Sequence, residues 1–207
     1  MTKLIVGLAG NPNVGKTTVF NQLTGMRQHV GNWPGKTVER AEGHFKHGSY
    51  EYDVVDLPGN YALSAHSMEE IVSRDFIVDD DSDVIVNVVD AANLERNLYL
   101  TVQMMELGAN LVMALNMNDF AKKKEHIIDI PLMSELLGFP VVEINAKTKD
   151  GFEDLLNAVE KAAKNPIDSS EKLAYSNDIK GHLSELQAVI EKDSNLLDVP
   201  SVWTAIK

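Results

Sequence analysis

Eight consecutive residues constrain this chain more than any other stretch. Gly10-Asn-Pro-Asn-Val-Gly15-Lys16-Thr17 sets two glycines, two asparagines and a proline in six positions, then a lysine and the paired threonines Thr17 and Thr18. The apolar run KLIVGLA (3–9) leads into it, and a helical apolar pattern follows. Strand, glycine-rich loop and helix in that order satisfy G-x-x-x-x-G-K-[ST], in which the glycines let successive amides turn onto phosphate oxygens. The positive end of the helix that opens near Lys16 adds to the same field. Lys16 brings a point charge to the terminal phosphates, and Thr17 a hydroxyl to Mg²⁺. Gly10, Asn11, Pro12, Asn13, Val14, Gly15, Lys16, Thr17 and Thr18 are therefore the expected phosphate-binding residues.

Two further strand ends extend the reading. Asp56-Leu-Pro-Gly59 closes the apolar run Tyr52 to Val55, aiming an aspartate at the metal and offering the Gly59 amide to a γ-phosphate. Asn116-Met117-Asn-Asp119 and Asn145-Ala146-Lys147 each follow a later strand. A carboxylate at Asp119 accepts both N1 and N2 hydrogens of guanine, and adenine offers no such donor pair. The order and spacing of these segments predict GTP and GDP as ligands.

Strands alternate with helices expected near 68–78, 97–108, 131–137 and 151–163. Such alternation predicts a mostly parallel sheet of six strands covered on both faces. Arg40 to Tyr52 reads as a hairpin that joins one antiparallel edge strand. KNPIDSS (164–170) reads as a linker, so residues 1–164 and 165–207 are expected to form a nucleotide-binding domain and a small all-helical appendage, with helices over 171–192 and 199–207. The last of these shows a fresh apolar face; the chain is expected to belong to a longer protein, with Trp203 bared where a downstream helix is missing.

With 19 basic and 31 acidic residues the net charge is −12, which repels nucleic acid and anionic lipid at long range. The chain has no cysteine, so disulfides, thiolate metal sites and thiol nucleophiles are out. Its longest apolar runs are strand length, short of the ~18 residues a membrane helix needs, and it reads as cytosolic. His44 and His47 are expected to be exposed hairpin polars rather than an iron site, and Asp79–Asp83 a solvated turn. Trp33, in a polar glycine-rich loop with no obvious core to fill, reads as a mobile switch position, with loop packing as the alternative.

With these motifs in place the chain resembles the translation-factor-like branch of P-loop GTPases. Three longer stretches, VGNWPGKTVE (30–39), SMEEIVSRDFI (67–77) and VVDAANLERNLYLTVQMMELG (88–108), narrow the likeness to the N-terminal cytosolic GTPase domain of the ferrous iron transport protein B (FeoB) family. The resemblance implies that Thr37 is the switch threonine that joins Mg²⁺ when GTP is bound. It implies that Asn13 helps hold a K⁺ beside the phosphates, with Asn32 and Trp33 in the loop (32–35) that closes over it. That cation would do part of an arginine finger's work, worth roughly 10³ to 10⁵ in rate where a finger is used. Asn13, Lys16, Thr37 and Gly59 are thus the expected catalytic residues.

The implied partner is a membrane-spanning transport region beyond residue 207, which would put the chain at the cytoplasmic face of the cell membrane; a weak homo-oligomer stays open. Met117 departs from the Asn-Lys-x-Asp of the broader branch and itself points to this family, while Lys36 and Asn60 depart from the expected pattern. Met117 replaces a common lysine, which predicts weak GDP binding; Lys36 replaces a small apolar residue; and Asn60 stands where signalling GTPases keep a glutamine, which predicts slow hydrolysis. Two rivals are a soluble ribosome- or tRNA-associated GTPase and a GTP-sensing module with negligible turnover.

Overall fold

A parallel strand buried on both faces reads as a near-continuous apolar run, and VIVNVV (84–89), broken by Asn87, and LVMAL (111–115) do so: each of these residues is buried. The structure is a computed structural model that describes residues 2–25, 28–64, 66–79, 82–192 and 199–206. Its sheet contains β1 (Thr2–Gly10), β2 (Gln28–Asn32), β3 (Glu39–His47), β4 (Tyr50–Asp56), β5 (Val84–Asp90), β6 (Leu111–Asn116) and β7 (Val141–Glu143), in spatial order β2-β3-β4-β1-β5-β6-β7. The pairs from β4 to β7 are parallel, and β3 runs antiparallel to both β2 and β4.

The sheet has seven strands, not the six expected. The extra one is β2, whose sequence QHVGN has a single apolar side chain, Val30, and that is 57% exposed. An edge strand held by backbone pairing to β3 needs no apolar alternation, so nothing in its composition betrays it.

Helices α1 (Lys16–Thr24) and α6 (Phe152–Lys164) cover one face, where Val19, Phe20, Leu155 and Val159 pack against β1, β5 and β6. On the other face lie α2 (Met68–Val78), α3 (Leu94–Glu106) and α5 (Ile130–Leu137), with Phe76, Leu100, Met104 and Met105 buried against the sheet. Local chemistry sets their ends. The Ser67 hydroxyl accepts from the Glu70 amide at 3.2 Å to open α2, and Asp129 accepts from the Leu132 amide at 3.0 Å to open α5. A short α4 (Asn118–Lys123) starts inside the first guanine segment, 116–119, and has too little apolar pattern to be read from sequence.

The C-terminal part departs from expectation twice. The helix expected from 171 begins at Asn177, as α7 (Asn177–Ile190), because Ser176 caps it by accepting from the Ile179 amide at 3.4 Å. Residues 170–172 make only a 3-10 turn. Trp203, on α8 (Ser201–Ile206), is 4% exposed rather than bared, since it enters the apolar cluster that holds Met104 and Leu107. Asn110 guides the linker there: its side chain donates to the carbonyls of Asp83 (2.7 Å) and Ala162 (3.1 Å) and accepts from the Ile167 amide (3.1 Å). Asp80 and Asp81 of the acidic run, Arg27 of the switch loop and Lys207 of the last helix lie outside the described residues.

Candidate nucleotide site

The register of the parallel strands brings the motifs to one edge. Leu8 pairs with Asp56, Gly10 with Val88, and Asp90 with Asn116, so the ends of β1, β4, β5 and β6 share the carboxyl side of the sheet, where α/β sheets bind ligands.

The phosphate loop owes its path to two glycines. A Cβ on Gly10 would lie 2.5 Å from the Val88 carbonyl oxygen, and one on Gly15 2.5 Å from Asn116 Nδ2, where φ is +93°. Asn13 also holds a positive φ, +68°. Gly15 caps α1 without a side-chain hydrogen bond, which leaves the first-turn amides to serve a ligand. Asn11, Pro12, Asn13, Gly15, Lys16, Thr17, Thr18, Gly59 and Met117 line a cavity of about 560 Å³. Beside it Asn11 is 3% exposed, and its Nδ2 has no partner among the described residues.

Lys16 and Asp56 form an ion pair whose side chains are 10% and 12% exposed. Burial pushes the Asp56 carboxyl above the usual carboxylate range, and the Lys16 ammonium pulls against that shift. After Asp56 the chain turns so that the Asn60 amide donates to the Gly10 carbonyl at 3.3 Å, bringing Gly59 against Pro12. The Asn60 side chain points the other way. It is 6% exposed, and its Nδ2 donates to Ser73 Oγ at 2.7 Å and to the Glu69 carbonyl at 3.2 Å on α2.

A second cavity of about 390 Å³ adjoins the first, sharing Gly15, Thr18 and Met117 with it. Asn116, Asp119, Asn145, Ala146 and Lys147, the residues expected to hold guanine, line it. Asn116 ties the two halves together: its Nδ2 donates to the Val14 carbonyl at 2.9 Å and its Oδ1 accepts from the Ala146 amide at 3.1 Å. Met117 caps α4 in the left-handed region, φ +62°, and Asp119 is exposed in the first turn. The loop after β7 is shaped by Asn145, whose Oδ1 accepts from the Lys147 amide at 3.0 Å.

Five residues of this second wall, Asp90, Ala92, Asn93, Phe120 and Lys124, were not among the expected site residues. Asp90 accepts from the Ala92 amide (2.8 Å) and from Asn93 Nδ2 (2.6 Å), and Lys124 Nζ donates to the Ala92 carbonyl (3.2 Å). An aspartate ending the apolar run VIVNVV was the available signal, the same one that picked out Asp56.

Thr37, Asn32 and Trp33 line neither cavity. Thr37 is exposed. Trp33 does have a seat, contrary to expectation. Its ring meets Phe76 of α2 edge-on at 5.8 Å, the Arg40 guanidinium carbon stands 4.4 Å from its centre, and Lys36 Nζ reaches Asp75 Oδ2 at 3.1 Å. The 33–38 loop is thus packed on α2, an apolar partner that lies 43 residues ahead in sequence and has no local trace.

The family profile described as Ferrous iron transport protein B matches residues 4–159. Among curated relatives, the Fe(2+) transporter FeoB of Salmonella typhimurium is 48% identical over 180 residues, covering 85% of this chain and 23% of that protein. That of Escherichia coli K12 is 45% identical over 197 residues, covering 93% of this chain and 25% of that protein. The chain spans about a quarter of the length of these relatives. Among solved structures, the cytosolic domain of the T. maritima FeoB iron transporter in apo form superposes with a TM-score of 0.89 at 35% identity, covering 99% of this chain and 80% of that one. The FeoB G-domain from Methanococcus jannaschii gives 0.70 at 46% identity, covering 80% of this chain and 100% of that one. By profile, sequence and fold, this chain belongs to the ferrous iron transport protein B family, as its N-terminal G domain.

Proposed function

We propose that the chain binds GTP and GDP and hydrolyses GTP slowly, and that its nucleotide state regulates or powers Fe²⁺ transport by a membrane region that follows in the full-length protein. The observation that carries the reading is the Asn116 strut, which joins a phosphate-sized cavity over Lys16 to a base-sized cavity over Asp119. The solved GDP and GMPPNP forms of the T. maritima FeoB cytosolic domain support it. Among the described residues no helix is long and apolar enough to cross a membrane, so transport would fall to the rest of the protein.

In this reading the first-turn amides of α1 and Lys16 hold the β- and γ-phosphates, the Gly59 amide reads the γ-phosphate, and Asp119 selects guanine. Thr17 and Asp56 present hard oxygen donors beside the phosphate cavity, the set that suits Mg²⁺, with Thr37 joining from its loop. Bound there, the ion would neutralise charge on the transferring phosphoryl group. Asn13 offers a neutral oxygen in the same cavity, which suits K⁺; Asn32 and Trp33 would have to arrive with the 33–38 loop. Residues 165–207 would act as the helical regulatory part at the cytoplasmic face.

Slow turnover is supported by Asn60, whose Nδ2 donates to Ser73 Oγ and the Glu69 carbonyl and so turns the side chain onto α2. The same bonds favour a second reading, a GTP sensor that barely turns over. The deciding assay is GTP hydrolysis, with ATP as control, in Mg²⁺ buffers containing KCl or NaCl at equal ionic strength. Potassium-specific stimulation lost in Asn13→Ala is expected. Tight GTP binding with no turnover in either salt would leave the sensor, and equal use of ATP would overturn the guanine assignment.

A further inference from the structure

The last turn of α3 carries two polar side chains where its neighbours are apolar. Gln103 is 1% exposed and Glu106 is 7% exposed, on the face of the sheet that also buries Met104 and Leu107. Each is only half satisfied: Gln103 Nε2 and Glu106 Oε2 have no partner among the described residues. A buried polar group with an unmet hydrogen bond costs stability that an apolar side chain of similar length would not. Packing therefore does not account for either residue.

What each does make is one tie to a distant segment. Gln103 Oε1 accepts from the backbone amide of Leu63 at 2.7 Å, and Leu63 lies four residues after Gly59. Glu106 Oε1 accepts from the Tyr175 hydroxyl at 2.8 Å, just before α7 begins. Burial, and then the bond to Glu106, raise the Tyr175 hydroxyl's pKa, so it stays a donor at neutral pH. At positions i and i+3 the two side chains stand on one side of the helix. Leu63, Met104, Leu107 and Trp203 all belong to the one apolar core on this face of the sheet.

We infer that the last turn of α3 couples the segment after Gly59 to the C-terminal helices, with Gln103 and Glu106 as its two positioning residues. The inference rests on the proposed nucleotide function. If the 57–64 segment moves when Gly59 meets a γ-phosphate, the Leu63 amide either draws Gln103 with it or leaves a buried oxygen unpaired. Either outcome biases the helix turn that holds Glu106, and through it Tyr175. Such coupling is reciprocal: a change at Tyr175 alters the preference between GTP and GDP although Tyr175 lines neither nucleotide cavity.

The chain has two tryptophans, Trp33 and Trp203. Fluorine NMR of the full chain carrying 5-fluorotryptophan reads both, and Trp33→Phe assigns the Trp203 resonance. Spectra with GDP and with a non-hydrolysable GTP analogue are compared while a fluorescent nucleotide titration reports binding. The Trp203 resonance should move between the two nucleotides in the natural sequence and in Glu106→Gln, which keeps the accepting oxygen. The movement should be lost in Gln103→Met and in Tyr175→Phe, with both nucleotides still bound and the affinity ratio between them changed in Tyr175→Phe. A Trp203 resonance that ignores the nucleotide, or moves equally in all variants while binding is intact, overturns the coupling alone. Failure of both nucleotides to bind overturns the coupling and the nucleotide function together. If Gln103→Met does not fold, Tyr175→Phe removes a single oxygen at the outer end and decides the matter.

Discussion

Asn116→Ala separates two roles that an asparagine at this place could have. As a direct ligand of the base it would matter only with nucleotide bound. As the strut seen here it matters always, because it is 4% exposed and both ends of its amide are used inside the protein. Alanine leaves the Val14 carbonyl and the Ala146 amide without partners, at ~1–3 kcal/mol for each buried group. The adjoining cavity, lined by Gly15, Asn116 and Ala146, lets water reach the gap, which favours the lower half of that range. The expected loss is about 2–4 kcal/mol without nucleotide, or roughly 5–15 °C in Tm for a chain of this length. Thermal and urea unfolding of the nucleotide-free protein measure it. Asn116→Asp keeps the acceptor for Ala146 and should retain part of the loss. A nucleotide-free change below ~0.5 kcal/mol combined with a large fall in GTP affinity would refute the strut and return Asn116 to the base.

Three other outcomes follow from single contacts. Met117→Lys should slow GDP release about 10- to 100-fold in stopped flow with a fluorescent analogue, since one charge-assisted bond back to the phosphate loop is worth ~1.5–3 kcal/mol; an unchanged rate would show that the Met117 backbone, at φ +62°, denies the lysine that reach. Asn60→Gln should lower stability by ~1–3 kcal/mol through overpacking against Ser73 and leave single-turnover hydrolysis within about tenfold of its starting value; a larger acceleration would mean the longer amide does find the attacking water. Tyr52 donates to Glu160 at 3.0 Å, and burial followed by that bond raises its phenol's pKa above the ordinary 10.0. With the folded value above the unfolded one, the folded state holds the proton longer, so its contribution is complete below about pH 10 and is lost as pH rises beyond. Urea midpoints of Tyr52→Phe should therefore fall less steeply than those of the natural sequence above about pH 10, and parallel slopes would remove Tyr52 from the alkaline transition.

The gathering of the 10–18 loop, Asp56 and the segments 116–119 and 145–147 at one edge was legible because each is a short local pattern at the end of an apolar strand, and parallel register lines such ends up. Val84 to Val89 and Leu111 to Leu115 needed only burial on both faces to be read. What escaped are contacts whose partners are far apart in sequence. Asn116 reaches Val14 across 102 residues, and Gln103 reaches Leu63 across 40. Trp33 looked unpartnered because Phe76 is not its neighbour in the chain, and Trp203 looked bare because the cluster it fills belongs to the other face of the sheet. The strand β2 escaped for a different reason, since backbone pairing at an edge places no demand on side-chain pattern.

On the proposed nucleotide function, the Lys16–Asp56 pair would serve both the bare fold and the bound state. Asp56 is buried enough that its charge is unfavourable alone, and Lys16 is the cation that compensates it. A nucleotide that engages Lys16 through its phosphates withdraws that compensation. Asp56 is then a buried carboxylate facing an increased negative field, a state that either takes up a proton or takes up a cation. Thr17, in the first turn of α1, lines the cavity that Lys16 also lines, and on the proposed function its hydroxyl would be a second oxygen donor. Phosphate and divalent ion should accordingly bind with positive cooperativity, because each removes a cost the other creates, and the cooperativity belongs to the ion pair rather than to any direct contact between its two side chains and the base.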